Sequence, residues 1–79
     1  MVKIVYLVIR DGVPLRARGS MAAAKQAAER LFPVHPEHAG AQTEWRDMQN
    51  GEALVFTDTK TGRVKLARLE VQSLPFSIE

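Results

Sequence analysis

The chain contains no cysteine, which excludes disulfide bonds, thiolate metal sites and catalysis by a cysteine nucleophile. Aromatic residues are also scarce, at 6% of the chain, and they form no paired motif of the kind on which RNA-binding sheets stack bases. The apolar run from Ile4 to Ile9 is far shorter than the roughly 20 residues that span a bilayer. It also begins too early in the chain for a secretory signal and has charged residues, Lys3 and Arg10, at both ends. We therefore expect a cytoplasmic protein that makes no membrane contact.

Length and composition are those of one small globular domain covering residues 1–79. Hydrophobic residues make up 46% and charged residues 25%, a balance typical of folded rather than disordered chains. A domain of this size buries only about 60–65% of the surface of its unfolded chain. Because no disulfide supports it, its stability must come from a compact core or from a partner that completes one.

The net charge of +2 conceals an uneven distribution. Residues 1–32 hold six basic and two acidic side chains, whereas residues 33–79 hold five basic and seven acidic ones. The N-terminal part is therefore basic and the remainder slightly acidic. Such a charge dipole can steer an anionic partner or orient one copy of the chain against another.

Residues 2–10 are rich in β-branched side chains and are predicted to form a strand. Both alternating sets of side chains in it are apolar, which is typical of a central strand covered on both sides. Asp11-Gly12 predicts a tight turn into a second strand over 13–18. In that strand Pro14 favours an edge position, since proline has no backbone N–H. Apolar and basic residues alternate there, so we expect one apolar and one basic face.

One helix is predicted over residues 21–32, because this stretch is rich in Ala, Lys, Gln, Glu and Arg. Ser20 is a good N-cap, and Pro33 ends the helix. Apolar residues recur at helical spacing along one side, and their small size would allow close approach to a sheet.

Three more strands are predicted over residues 42–48, 53–57 and 63–73, with a hairpin signal at Asn50-Gly51. The resulting order is β-β-α-β-β-β. The sequence therefore predicts an α+β domain in which one helix packs on a four- to five-stranded antiparallel sheet.

The last strand changes phase, since Val64 and Leu66 have the opposite parity from Leu69 and Val71. A one-residue β-bulge near position 67 or 68 would bring all four to one face. The apolar tail at 74–78 is expected to pack across the domain.

Residues that could carry chemistry form no catalytic or cofactor-binding set. The loop at 33–41 contains His35, Glu37 and His38, which are metal-capable, but it offers no helical register and no further ligand. We interpret it as a polar surface loop. The serines lack a histidine base, and the aspartates and glycines lie in or beside turns. We therefore expect a protein that is not an enzyme and that holds no cofactor and no metal.

The first strand gives the sharpest indication of function, because one short helix covers only one face of a sheet. Its second face bears either Tyr6 or Leu7 with their neighbours, and we take Val5, Leu7 and Ile9 as the candidate interface. The tail could cover that face, the sheet could curl into a small barrel, or a second protomer or another protein could pack on it. Trp45, a large aromatic residue in a polar strand, either covers the core under the loop or anchors an interface. We expect a small non-enzymatic binding module that acts through protein–protein contact or self-association.

The alternative function is nucleic-acid binding through a basic sheet or hairpin face. Arg16 and Arg18 share one face of the second strand, and Arg63 and Lys65 share one face of the last, with Lys60 in the turn before it. In one sheet these cations could face a phosphate backbone, but basic residues also solvate outer faces and protect edge strands. The modest net charge and the scarcity of aromatics argue against this alternative.

Overall fold

The computed structural model describes residues 2–32 and 36–77, which form one five-stranded sheet and one α-helix. In chain order the elements are β1 (Val2–Arg10), β2 (Val13–Arg18), α1 (Met21–Leu31), a short 3-10 turn (Pro36–His38), β3 (Thr43–Met48), β4 (Gly51–Thr57) and β5 (Val64–Ser77). The strands lie in the order β2-β1-β5-β4-β3, and each is antiparallel to its neighbours. The predicted α+β fold, with one helix packed on an antiparallel sheet, is confirmed.

Turn residues build the β1–β2 hairpin as predicted. Asp11 (φ 52°) and Gly12 (φ 80°) both adopt the left-handed conformation that a two-residue hairpin turn favours. The pairing of β2 with β1 skips Leu15, which forms a one-residue bulge. The bulge breaks the alternation expected for β2, because Val13 now shares a face with the two arginines of that strand.

Helix α1 begins where predicted and ends one residue early. The Ser20 side chain accepts a hydrogen bond from the backbone N–H of Ala23 (3.2 Å), which caps the first turn. Leu31 is the last helical residue. Ala24 and Ala28 are fully buried, and because each presents only a methyl group, the helix can pack closely on the sheet.

The core lies between α1 and the sheet, in two clusters. One combines Val8 and Val71 of the sheet with the two buried alanines of the helix. Leu31 and Trp45 pack against both clusters and so join them into one layer. The second cluster lies toward β4 and consists of Leu54, Phe56, Ala67 and Leu69.

Strand β5 contains a bulge at the predicted place, but the bulge is larger than predicted. Ala53 pairs with Glu70 and Val55 pairs with Leu66, so that residues 67–69 lie opposite the single residue Leu54. Side chains alternate between the two faces of a strand, so two extra residues leave odd positions of β5 on the same face before and after the bulge. One extra residue would have moved them to the opposite face.

Val64 and Leu66 therefore lie on the opposite face from Leu69 and Val71, and the prediction that a bulge brings all four together is wrong. Leu69 is 1% exposed, whereas Leu66 is 70% exposed. Arg68, within the bulge, has a φ of 58°, which a residue with a side chain seldom adopts.

The C-terminal segment extends β5 instead of folding across the domain, so that expectation is also wrong; residue 78 lies outside the described residues. Residues 74–77 pair with residues 2–5 of β1. Because β2 ends opposite Tyr6 and β4 begins opposite Gln72, these residues form a two-stranded extension of the sheet, here termed the terminal ribbon.

Pro75 fits the terminal ribbon without the loss of a ladder hydrogen bond. On the β4 side, the backbone N–H of Ser73 donates to the carbonyl of Asn50 (2.8 Å). Along an antiparallel strand, residues two apart direct their backbone nitrogens to the same side. The nitrogen of Pro75 therefore faces the β4 side, at a level where β4 has no residue to pair with it. This edge of the ribbon therefore offers no donor to another strand at that position.

Gly51 is required by close packing between strands. The β3–β4 hairpin is confirmed, but it turns at Gln49 and Asn50, and Gly51 is the first residue of β4. A Cβ atom at this position would overlap the backbone carbonyl of Val71 in β5. The glycine therefore permits the approach of β4 to β5 and does not serve the turn itself.

Candidate protein interface

The sheet has one face covered by α1 and a second face, here termed the open face, on which no helix packs among the described residues. Residues opposite each other in an antiparallel pair share a face. Val8 and Val71 are such a pair and contact the helix, so odd positions of β1 and even positions of β5 point away from it. The open face therefore carries Val5, Leu7 and Ile9 of β1, with Glu70, Gln72 and Leu74 of β5.

These positions bring the predicted interface residues of β1 into one apolar stripe. Ile9 is buried between its neighbours on β2 and β5, whereas Val5 and Leu7 are half-buried. Leu74 beside them is 41% exposed, and Leu66, on the same face beyond the bulge, is 70% exposed. Single exposed leucines are ordinary in soluble proteins, whereas a contiguous apolar stripe is typical of a contact surface.

Neither of the two intramolecular covers considered from the sequence is found in the part of the chain that the structure describes. The tail continues β5 along the terminal ribbon and does not cross the open face. The sheet has two separate edge strands, β2 and β3, so it does not close into a barrel. The stripe is therefore accessible to another molecule.

Two charged side chains lie at opposite ends of the stripe. Glu70 is half-buried beside Ile9, and its Oε1 accepts a hydrogen bond from Nε2 of Gln72 (3.1 Å). Lys3 is exposed at the other end of the same face. Within residues 2–32 and 36–77, neither side chain takes part in an ion pair. The face thus combines an apolar centre with one unpaired charge of each sign.

Trp45 lies on the face covered by the helix, away from the apolar stripe. Its ring packs against both core clusters, and its Nε1 donates a hydrogen bond to Oε1 of Glu29 (2.9 Å). The Nζ of Lys25 lies 5.7 Å from the ring centroid and pairs with Glu52 of β4 at 2.6 Å. These contacts hold β3 and β4 to the helix and favour the core-covering role for Trp45.

The five cations considered for nucleic-acid binding form two separate groups. Arg16 and Arg18 lie on edge strand β2, where each donates to the carbonyl of the residue before it. Lys60, Arg63 and Lys65 lie in and after the β4–β5 turn. At roughly 3.3 Å per residue, the strand pairing separates Arg18 from Lys65 by about 20 Å along the sheet. Nucleic-acid binding stays a prediction.

Asp58 organises the turn that holds the second group. Its Oδ1 accepts the backbone N–H of Lys60 (2.8 Å), and its Oδ2 pairs with Nζ of Lys65 (2.8 Å). These hydrogen bonds, chiefly that from Lys65, lower the pKa of Asp58 from 3.8 to about 2. Gly62, with a φ of 70°, completes the turn by donating its N–H to the Asp58 carbonyl. The aspartate and its lysine therefore have a structural role.

A cleft of about 430 Å³ lies between the 3-10 turn and β5, on the helix-covered side. Phe32 and Phe56 line it, and the ring of His38 packs against both, with centroid distances of 6.5 and 4.7 Å. Among the described residues, no group of three or more His, Asp or Glu could hold a metal, and His35 lies outside them. The charges around the cleft balance and favour no ligand of either sign; they are Asp11, Glu37, Lys65 and Arg68.

No protein-family model, curated protein or solved structure matches this chain. In the described part of the chain, no helix has the length and apolar character needed to cross a membrane.

Proposed function

We propose that this protein is a small non-enzymatic interaction module whose open face binds another protein surface. The observation that supports this proposal is the apolar stripe of Val5, Leu7 and Leu74, which neither the helix nor the tail covers. Burial of apolar surface is the main driving force of protein association, so a stripe of this kind gains stability when a second surface excludes water from it.

Charges at the ends of the stripe support the same proposal. Protein interfaces commonly have an apolar centre and a polar rim that sets orientation. On the open face, Lys3 and Glu70 occupy rim positions around the apolar side chains. The bound surface is therefore expected to be apolar at its centre and charged at its margins.

Site-specific photocrosslinking in the cells that produce the protein tests this proposal. A benzophenone amino acid is placed at Leu74 on the open face or, as a matched control, at Gln26 on the exposed side of the helix. We expect crosslinked adducts, to another protein or to a second copy, from position 74 and not from position 26. Adducts from neither position, or equally from both, would contradict the proposal.

A further inference from the structure

We infer that the open face binds a second copy of this chain, packed antiparallel and face to face, so that Lys3 of each protomer meets Glu70 of the other. This inference rests on the proposed function and names the partner for the same face. It follows from where the two charges and the apolar residues lie.

Lys3 and Glu70 lie at opposite ends of the apolar stripe. Glu70 is the β5 neighbour of Ile9, whereas Lys3 lies further toward the start of β1 on the same face. Here the level of a residue means its position along the direction of the strands. At roughly 3.3 Å per residue, the level of Lys3 is about 20 Å from the level of Ile9. Val5 and Leu7 lie between these levels on β1.

A two-fold axis between two stacked sheets exchanges these ends. When the axis runs across the strands at the level of Tyr6, it places Lys3 of one protomer at the level of the partner's Glu70. The two residues are then offset sideways by one strand spacing, about 4.8 Å, which a lysine side chain can span. The symmetry forms the same ion pair twice.

The same axis places apolar residues at the centre of the contact. Val5 of one protomer lies at the level of the partner's Leu7, and the reverse contact is identical. Leu74 lies at the level of the partner's Gln72 and beside these valines and leucines. Aligned sheets pack about 10 Å apart, which allows side chains from the two faces to interdigitate. The apolar centre of one open face therefore meets the apolar centre of the other, and each charged end meets the end of opposite charge.

Glu70 is the reason to favour a second copy over an unrelated apolar surface. Its carboxylate is already half-buried, and its described hydrogen-bond partner is the neutral amide of Gln72. Further loss of water around this carboxylate without a cation would be costly, which favours a bound surface that supplies one. Arg46, also on the open face, is already paired with Glu44 (3.5 Å). Lys3 is unpaired and has the required position.

The size of the contact predicts a reversible dimer. The matched region is only a few strands wide and about 20 Å long, which is smaller than a standard stable interface. We therefore expect the fraction of dimer to rise with protein concentration. We also expect it to fall with added salt, because ion pairs at the rim are screened.

Charge reversal followed by mixing tests this arrangement. Lys3→Glu places two glutamates opposite each other at both ends of the dimer, and Glu70→Lys does the same with two lysines. Each variant alone should raise the dimer dissociation constant roughly tenfold or more. An equimolar mixture should form a heterodimer of near wild-type strength, because each reversed charge then meets its opposite. Sedimentation velocity over roughly a hundredfold concentration range measures the association.

Lys60→Glu is the matched control, because it changes the net charge as Lys3→Glu does but lies in the exposed β4–β5 turn. It should leave dimerisation unchanged. Circular dichroism checks that each variant folds; Lys3 is exposed, so its variant tests the inference even if Glu70→Lys fails to fold.

The results separate this inference from the proposed function. A wild-type protein that stays monomeric, or a dimer that Lys3→Glu does not weaken, overturns the inference. If adducts to a different protein still form from position 74, the proposed function stands without it. A monomer that also yields no adducts from position 74 would refute both.

Discussion

Two leucines of β5, three residues apart, allow a direct test of the strand register that creates the open face. Leu69 is 1% exposed in the core, and truncation of such a leucine to alanine costs about 2–5 kcal/mol of folding stability. Leu66 is 70% exposed. Full burial of a leucine contributes about 1.5–3 kcal/mol, and less than a third of Leu66 is removed from water, so Leu66→Ala should cost about 0.5–1 kcal/mol.

Urea unfolding and thermal melting of dilute protein measure both losses. For a domain of this size, 1 kcal/mol corresponds to about 4–8 °C in Tm. Leu69→Ala should therefore lower the Tm by about 10 °C or more, and Leu66→Ala by no more than about 8 °C. Equal losses of stability would mean that both leucines face the core. The β5 bulge would then contain one extra residue instead of two, and the open face would be wrongly assigned beyond it.

Three further changes test local features of the fold. Gly51→Ala should strongly destabilise the protein, because the new Cβ overlaps the Val71 carbonyl; an unchanged urea midpoint would show that β4 and β5 are further apart. The pKa of Asp58 is about 2 instead of 3.8, so its contribution to stability is complete above about pH 4 and is lost as the pH falls through 2. Asp58→Asn should therefore lower Tm at neutral pH and flatten its fall in acid, and an acid profile identical to wild type would contradict the pairing with Lys65. Ser20→Ala should cost about 1 kcal/mol in urea unfolding, whereas Ser20→Gly should cost less; equal losses would argue against the hydrogen bond to Ala23.

Features encoded by neighbouring residues were predictable from the sequence. Asp11-Gly12 specifies its turn through backbone conformation, and Ser20 specifies the start of the helix through a hydrogen bond three residues away. Alternation in residues 2–10 correctly indicated an interior strand with two apolar faces. Each of these signals acts over a few residues, so no knowledge of the tertiary fold is needed to interpret it.

Features that depend on distant pairing were not predictable in the same way. A change of phase in β5 indicates a bulge near Arg68, but only the register with β4 decides whether one or two residues are added. The apolar tail at 74–77 could either extend β5 or pack across the domain, and its composition fits both. Its pairing with residues 2–5 joins segments that almost the whole sequence separates. For the candidate interface, alternation groups Val5 with Leu7 as one of two apolar sets of β1, but only the packing of Val8 against the helix shows that this set lies on the open face. Glu70 could not be identified from the sequence, because its place beside Ile9 depends on the distant pairing of β5 with β1.

The position of β5 in the middle of the sheet has a consequence for how the chain folds. Val2 pairs with Ser77 and Arg10 with Leu69, so the central pair of strands joins segments that are far apart in sequence. Contacts between residues so distant in sequence slow folding, because a long loop must close before they form. Until residues 69–77 leave the ribosome, β1 can pair only with β2, and its other edge and apolar side chains stay exposed to aggregation or to chaperones. The strand that supplies most of the apolar stripe on the open face is therefore also the most vulnerable segment of the chain during synthesis.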